Sequence, residues 1–416
     1  MVVAGDERQP CGVKDYARHL AAEMADESSR VVEILPPCYG VHRINIKKLR
    51  TLRNRVIRQT HAIPPVSLVH AQYSDYSWNG TRLYEDLYEV FVRKCRSPFV
   101  VTIHEHPWFR NEHELDRPKT WADFVFSWLA GYRVVPKSFP LELFSRHIGI
   151  HVHHAWQKQV LVSNGVPESK IRVIPISIPE CVATPDQEAA FRQRFGFKNK
   201  RMIVIAGFVL ERKRYDRILE LLPGLLPDIV LCALGGSQGP ASEKYIADLI
   251  ERARVLGVSD RFVVSGYLSE PELNAGLLAA DVFVAPYGEV TSSASVARCI
   301  GAVAPIMAGK CSSFEELEVG GAGLVVVDME NKAEMKRVLL GLLEKNEQYC
   351  ALRQKNLEYA AKLTLSNVAS ALQVWYRECL GKCDFCLKSP ATREPSAPAT
   401  DSCKLKTIRD NQSEPT

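Results

Sequence analysis

At 416 residues the chain is longer than one hydrophobic core usually takes up, so two domains of roughly 150–200 residues are expected. A 46% hydrophobic, 24% charged composition is that of a folded globular protein. The formal charge of only +5, with bases interleaved among acids, argues against a nucleic-acid partner held by bulk charge.

In chain order, apolar runs resembling buried strands come first: RVVEILP (30–36), VSLVHAQ (66–72), SPFVVTIHEH (97–106), YRVVPKS (132–138), GIHVHHA (149–155) and KIRVIPI (170–176). Helical stretches lie between several of them, such as VKDYARHLAAEMADE (13–27) and TRLYEDLYEVFVRKC (81–95). This alternation predicts an α/β layer fold on a largely parallel sheet. The polar stretch 179–200 fits a linker and its approach. The pattern then restarts with RMIVIAGFV (201–209), DIVLCALGG (228–236), RFVVSGY (261–267), DVFVAPY (281–287) and GAGLVVVD (321–328), again with helices between. A last long helical stretch from Lys332 is broken near Thr364 and Ser366, and the Pro/Ser/Thr-rich end is expected to be disordered. No apolar run reaches the length of a membrane span, and the start, MVVAGDERQP, lacks the apolar core of a signal peptide. The expectation is a cytoplasmic protein, with room for peripheral contact at the inner membrane face.

Five constellations carry chemistry. Gly12, in QPCGVKDYARHL, sits where a loop enters a helix; it serves a tight turn or lets backbone N–H groups meet an anion. His104, Glu105 and His106 end a strand, with the two histidines expected on one face, where a neutral imidazole can bond a sugar hydroxyl or phosphate. A merely structural polar cluster is a second reading and zinc a third, given HVHHAW (151–156), but no HExxH or closing Cys/His spacing accompanies it. Gly207 ends a strand, and Arg212, Lys213 and Arg214 precede a helix, forming an anion site or a solvated basic turn. In GEVTSSASVARCIGAVAPIMAG (288–309), Glu289 can accept from sugar hydroxyls, while Thr291, Ser292 and Ser293 can cap a helix and meet phosphate. Finally, Cys379, Cys383 and Cys386, with Cys403 beyond, could hold zinc or an iron–sulfur cluster, or be incidental tail thiols.

Together these pieces resemble the large family of retaining, nucleotide-sugar-dependent glycosyltransferases with two facing Rossmann-like domains (family 4, GT-B fold). The resemblance covers roughly residues 5–378 and rests on an order: GFVLERKRYDRILE, LCALGG, VSGYLSEPELNAGLLAADVFVAPYGEVTSS, a small-residue helix with IGAVAPI, then SSFEELEVGGAGLVVV. It implies an acceptor-side domain over 1–183, a nucleotide-sugar domain over 184–360, a helix at 361–378 packing back on the first domain, and a Cys-containing tail at 379–416. The implied activity is transfer of a hexosyl group from a nucleotide-diphosphate sugar to a hydroxyl of a saccharide or lipid-linked acceptor. Neither a metal nor a further cofactor is implied, because the protein itself neutralises the diphosphate.

By the same resemblance, Gly12 approaches the donor phosphates and His104 lies near the anomeric carbon. Lys213, helped by Arg212, holds the diphosphate. Gly207, Gly235, Tyr267, Leu268, Thr291, Ser292 and Ser293 line the donor site, and Glu289 approaches the donor sugar. The chain departs from the family at Phe208, where arginine is usual, and at Ile176-Ser177, in place of His-Gly. It also has Arg298 for the second glutamate and Val303 for a glycine, while Ser292-Ser293-Ala294-Ser295-Val296 matches a Ser-Ser-Gly-Ser-Leu variant. A nucleotide-sugar epimerase of the same fold and a degenerate transferase-like scaffold are the alternatives.

Overall fold

The computed structural model describes residues 1–3, 12–25, 32–33, 46–74, 78, 87–110, 121, 125, 128–129, 131, 146–288 and 290–382. They form two six-stranded sheets in which every neighbouring pair of strands is parallel. The first contains β1 (Val2–Val3), β2 (Val32–Glu33), β3 (Val69–Ser74), β4 (Phe99–Glu105), β5 (Gly149–Val152) and β6 (Ile171–Val173), in the order β2-β1-β3-β4-β5-β6. The second contains β7 (Arg201–Ala206), β8 (Ile229–Leu234), β9 (Phe262–Val264), β10 (Val282–Ala285), β11 (Ile306–Gly309) and β12 (Leu324–Val327), in the order β12-β11-β10-β7-β8-β9.

Counted within its own unit, the second sheet runs 3-2-1-4-5-6, the doubly wound order. Beyond Arg201 at the start of β7, its strands are apolar because helices cover both faces: all six residues of Ile229–Leu234 are buried. The order reverses between β7 and β10 in this sheet and between β1 and β3 in the first. Such reversals open a crevice at the carboxyl ends of the strands, which is where ligands bind in this architecture. The α/β expectation therefore holds as two Rossmann-like sheets of the GT-B kind.

The last two helices run from the second unit back to the first. The helix Glu347–Lys362 packs on the second sheet through Asn356, whose amide bonds the Ala304 and Gly323 carbonyls and the Gly323 N–H. Thr364 then caps a new helix, Leu365–Gly381, accepting from Asn367 N–H at 3.2 Å, so the chain breaks where the sequence indicated. This last helix returns to the first domain, burying Val368, Leu372 and Trp375 against Leu20, Met24, Val100 and Ile174. Gly149 is required beneath it: a Cβ there would lie 2.6 Å from both Cys379 Sγ and the Trp375 ring. Arg172 pairs with Glu378 at the helix's far end.

Some expectations fall differently. β11 lies in a stretch that the sequence reading joined to the preceding helix; that helix is Ala294–Gly301, and a turn through Val303 separates the two. Cys379 is a packing residue whose thiol is pushed up to about 11 by burial. The expected strand at 132–138, Glu289, and Cys383, Cys386 and Cys403 lie outside the described residues. Among the described residues, no helix is long and apolar enough to cross a membrane.

Candidate functional site

The second domain gathers polar groups at the reversal between β7 and β10. Gly207, directly after β7, has φ 89°, and a Cβ on it would sit 2.5 Å from Ser295 Oγ and 2.7 Å from Lys213 Nζ. Gly235, directly after β8, has φ 153°, and its Cβ would sit 2.3 Å from the Gly207 carbonyl oxygen. Both glycines are thus demanded by close approach as well as by backbone conformation.

Lys213 is buried on a short 3-10 turn, Glu211–Lys213. Its ammonium donates to the Ala206 carbonyl (2.6 Å) and Ser295 Oγ (3.2 Å), and it stands 5.8 Å from the centroid of the Tyr287 ring. Burial, then the neighbouring Arg212 charge, lowers its pKa to about 7. Arg212 itself is exposed.

Ser293 caps the helix Ala294–Gly301, accepting from Val296 N–H at 3.2 Å, and shares a 2.9 Å bond with the Tyr287 hydroxyl. Thr291 is buried, and its hydroxyl has no hydrogen-bond partner among the described residues. A buried unsatisfied hydroxyl costs about 1–3 kcal/mol and calls for a group to complete it. Ser292 is half-buried beside it.

Gly207, Lys213, Gly235 and Ser293 are therefore brought together with Ser295 and Tyr287, two residues that site reasoning from the sequence did not assign. Ser295 carried a signal, as the third hydroxyl of the Ser-Ser-Ala-Ser run. Tyr267 is 74% exposed beside Gly236, whereas the Leu268 side chain is in the core, leaving only its backbone for a ligand. Arg298 makes a two-pronged bond to Glu270 (2.6 and 3.2 Å), so the position expected to hold a carboxylate is a guanidinium already paired within the domain.

In the first domain, His104 sits at the end of β4 in a buried polar array. The tautomers follow from the acceptors. His151 Nε2 lies 2.8 Å from the Ile174 carbonyl, which only accepts, so Nε2 is protonated and Nδ1 is an acceptor. Nδ1 takes the Thr102 hydroxyl proton (2.7 Å), and Thr102 Oγ1 accepts from His70 Nε2–H (2.7 Å). The Tyr376 hydroxyl then donates to His70 Nδ1 at 2.5 Å.

Gln72 completes the array. With its amide nitrogen toward His70 Nε2 (3.2 Å) and its oxygen toward His104 Nε2 (2.7 Å), two N–H groups would face each other. Turning this isosteric amide end for end removes the clash. Gln72 N–H then donates to His104 Nε2, His104 Nδ1–H to His153 Nε2 (3.3 Å), and His153 Nδ1–H to the Ile174 carbonyl (3.3 Å). Both nitrogens of His104 are thus in use, and the Tyr16 ring closes edge-on at 5.6 Å. Burial, aided by the fields of His151 and His70, lowers the His104 pKa to about 3, so the ring is neutral near pH 7.

His104 and His106 do not share surroundings as expected: His106 packs among Tyr73, Trp108 and Phe109. The strand pairing shifts register at Tyr73/Ser74, which breaks the simple alternation past Ile103. Among the described residues, no cluster of His, Cys, Asp or Glu is arranged to hold a metal. Gly12 is exposed at the first turn of the helix Gly12–Glu23, with open space where a side chain would stand.

The two units meet beside this site. Glu316, on the helix Ser312–Val319, accepts from Ala155 N–H (2.7 Å) and Trp156 N–H (3.1 Å), the first amides of the helix Ala155–Ser163. Burial alone would raise its pKa, but these bonds and His154 hold it below the ordinary range. Trp156 Nε1–H donates to Ser313 Oγ (3.1 Å), and the Ser313 hydroxyl reaches the Val290 (2.6 Å) and Thr291 (3.1 Å) carbonyls. The Thr291 segment is thereby connected to the first domain. Nothing in the spacing of Ser313 and Glu316 marked them for this role.

Residues 186–362 match the family model of glycosyl transferases group 1. A GDP-mannose-dependent alpha-(1-6)-phosphatidylinositol monomannoside mannosyltransferase of Mycolicibacterium smegmatis is 30% identical over 155 residues, covering 35% of this chain and 39% of the relative. A mannosylfructose-phosphate synthase of Agrobacterium fabrum is 26% identical over 227 residues, covering 52% of this chain and 48% of the relative. The chain thus spans less than half the length of these curated relatives. The crystal structure of Anabaena HepE with UDP-glucose superposes with a TM-score of 0.68 at 13% identity, over 91% of this chain and 99% of that one. The chain therefore has the two-domain GT-B fold, and its second unit is related in sequence to the group 1 glycosyl transferases.

Proposed function

We propose that this protein is a retaining hexosyltransferase that moves a sugar from a nucleotide diphosphate to a hydroxyl of a saccharide or lipid-linked acceptor. The observation that carries this reading is the convergence of Lys213, Ser295, Gly207 and the capped helix Ala294–Gly301 at the β7/β10 reversal, with the Thr291 hydroxyl buried and unpartnered beside it. A diphosphate meets there an ammonium, hydroxyls and a positive helix end. The Mycolicibacterium relative is named for a nucleotide sugar and HepE was solved with one, which favours the same donor class for this chain.

In the step itself, the bond from the anomeric carbon to the diphosphate oxygen breaks and its electron pair stays on the diphosphate. The acceptor oxygen bonds the same face, and its proton passes to the departing phosphate oxygen. Lys213 and Arg212 stabilise the charge that grows there. A donor-sugar hydroxyl takes the His104 Nδ1–H in place of His153, the longest bond that His104 makes. Glu289 acts at the sugar, the first domain takes the acceptor, and the work is done in the cytoplasm or at the inner membrane face.

The pairing of Arg298 with Glu270 favours a second reading, a transferase-like protein that binds donors without turning them over. One experiment separates the two. The purified chain is screened against UDP-, GDP-, ADP- and TDP-sugars by thermal shift, and any stabilising donor is then followed for release of nucleotide. Stabilisation with release supports transfer, stabilisation without release supports the binding-only reading, and no stabilisation by any donor sinks both.

A further inference from the structure

We propose that Gln72 and His153 are positioning residues for the transfer: each holds His104 in its Nδ1–H form, and the Ile174 carbonyl sets both contacts. The role rests on the transfer reading above; the protonation of His104 does not. Gln72 stands on β3, His104 on β4 and His153 directly after β5, so three neighbouring strands of the first sheet bring the side chains together. All three are buried.

Ile174 directly follows β6, and its carbonyl oxygen lies 2.8 Å from His151 Nε2 and 3.3 Å from His153 Nδ1. A carbonyl only accepts, so each neutral ring carries its proton on that nitrogen and leaves the other as an acceptor. The short route runs through His153, whose Nε2 lies 3.3 Å from His104 Nδ1 and calls for a proton there. The long route starts at His151. Its Nδ1 takes the Thr102 proton, Thr102 Oγ1 takes His70 Nε2–H, and that N–H draws the Gln72 oxygen toward itself. The Gln72 N–H is left facing His104 Nε2 at 2.7 Å, which must then accept. The two routes share only the Ile174 carbonyl, yet both put the His104 proton on Nδ1. A neutral imidazole has one N–H, so its tautomer decides whether it donates or accepts toward a bound hydroxyl. A donor fixed in advance needs no rearrangement when the sugar arrives. Once a sugar hydroxyl takes Nδ1–H in place of His153, Gln72 alone keeps the proton on that nitrogen.

The test has two readouts. The full chain, with its histidine nitrogens isotopically labelled, is read by proton–nitrogen correlation at neutral pH without any nucleotide sugar, and the His104 signals are assigned by their loss in His104→Phe. A protonated Nδ1 and a bare Nε2 are expected. Gln72→Met and His153→Phe each remove one route and should keep this pattern, whereas the double variant, with neither route, should show a mixture that includes Nε2–H. Turnover of the donor found by screening is then followed as nucleotide release. Gln72→Met should lower kcat/KM roughly tenfold, and the double variant should lose more than the product of the two single effects. Should the double variant fail to fold, the wild-type spectrum, the single-variant spectra and the turnover of Gln72→Met still decide. A bare Nδ1 in the wild type overturns the proposal whatever the activity, as does loss of Nδ1–H in either single variant. Wild-type turnover in Gln72→Met overturns it as well. The expected spectrum with no nucleotide release by the wild type overturns the transfer reading, and the positioning role with it, while the protonation of His104 stands.

Discussion

Val303 shows how a departure from a family pattern acquires a physical cost. The resemblance places a glycine there, and the structure puts this valine at φ 65°, in the left-handed region. A β-branched residue in that region is strained by roughly 1–2 kcal/mol, which glycine relieves at some cost in chain entropy. Val303→Gly should therefore raise stability by about 1 kcal/mol, read from denaturant midpoints at unchanged slope; a loss of stability would show that the valine side chain contributes more than its backbone costs. At this scale the sequence was informative where chemistry is local. Lys213 and Ser293 stood out as charge and cap, and Gly207 as a strand end. Ser295 was visible only as the third hydroxyl of its run, and Tyr287, Gln72 and His153 did not stand out, because their roles arise from strands and helices that meet only in the fold.

At the scale of elements, strands were legible from apolar runs, and the break at Thr364 from its capping residues. β11 was not, because Ile306–Gly309 continues the small apolar composition of the helix before it and lacks a polar boundary. The buried array depends on several elements at once: His70 and Gln72 from β3, Thr102 and His104 from β4, His151 from β5, His153 just after it, and Tyr376 from the returning helix. Burial lowers His104 and His151 to about 3, and lowers His70 and His153 well below the ordinary histidine value. Unfolded histidines titrate near 6.5, so between about pH 3 and 6.5 the unfolded chain binds more protons and stability rises with pH. The contribution is complete above about pH 6.5 and is lost on acidification. Thermal unfolding between pH 7.5 and 4.5 should reveal this, with stability falling on the order of 1–2 kcal/mol per histidine by about pH 5. A flat profile would contradict the neutral array. Tyr376→Phe, which leaves His70 Nδ1 without its donor, should destabilise by about 1–3 kcal/mol at pH 7.

For the whole molecule, the alternation of strands and helices with a restart near residue 201 was enough to infer two α/β units. The contacts between them were not legible. Glu316 on the first amides of Ala155–Ser163, and Ser313 between Trp156 and the 290–291 carbonyls, join segments far apart in sequence, and nothing in the SSFEELEVGG stretch that holds them marks these contacts. They connect the first domain to the segment that holds Thr291, and so to the proposed donor site. Donor binding at the β7/β10 reversal is the claim on which the account of transfer stands, and Lys213 is its most direct probe. With its pKa lowered to about 7 by burial, Lys213 is only partly charged at neutral pH, and an adjoining diphosphate favours its charged form. Calorimetric titration of the donor found by screening, repeated between pH 6 and 9, is the decisive measurement. Wild-type affinity should fall as pH rises above about 7, because binding then requires proton uptake. Lys213→Ala should bind roughly ten- to a hundredfold more weakly and lose that pH dependence. Equal affinity in the two proteins, with the same pH profile, would contradict the account.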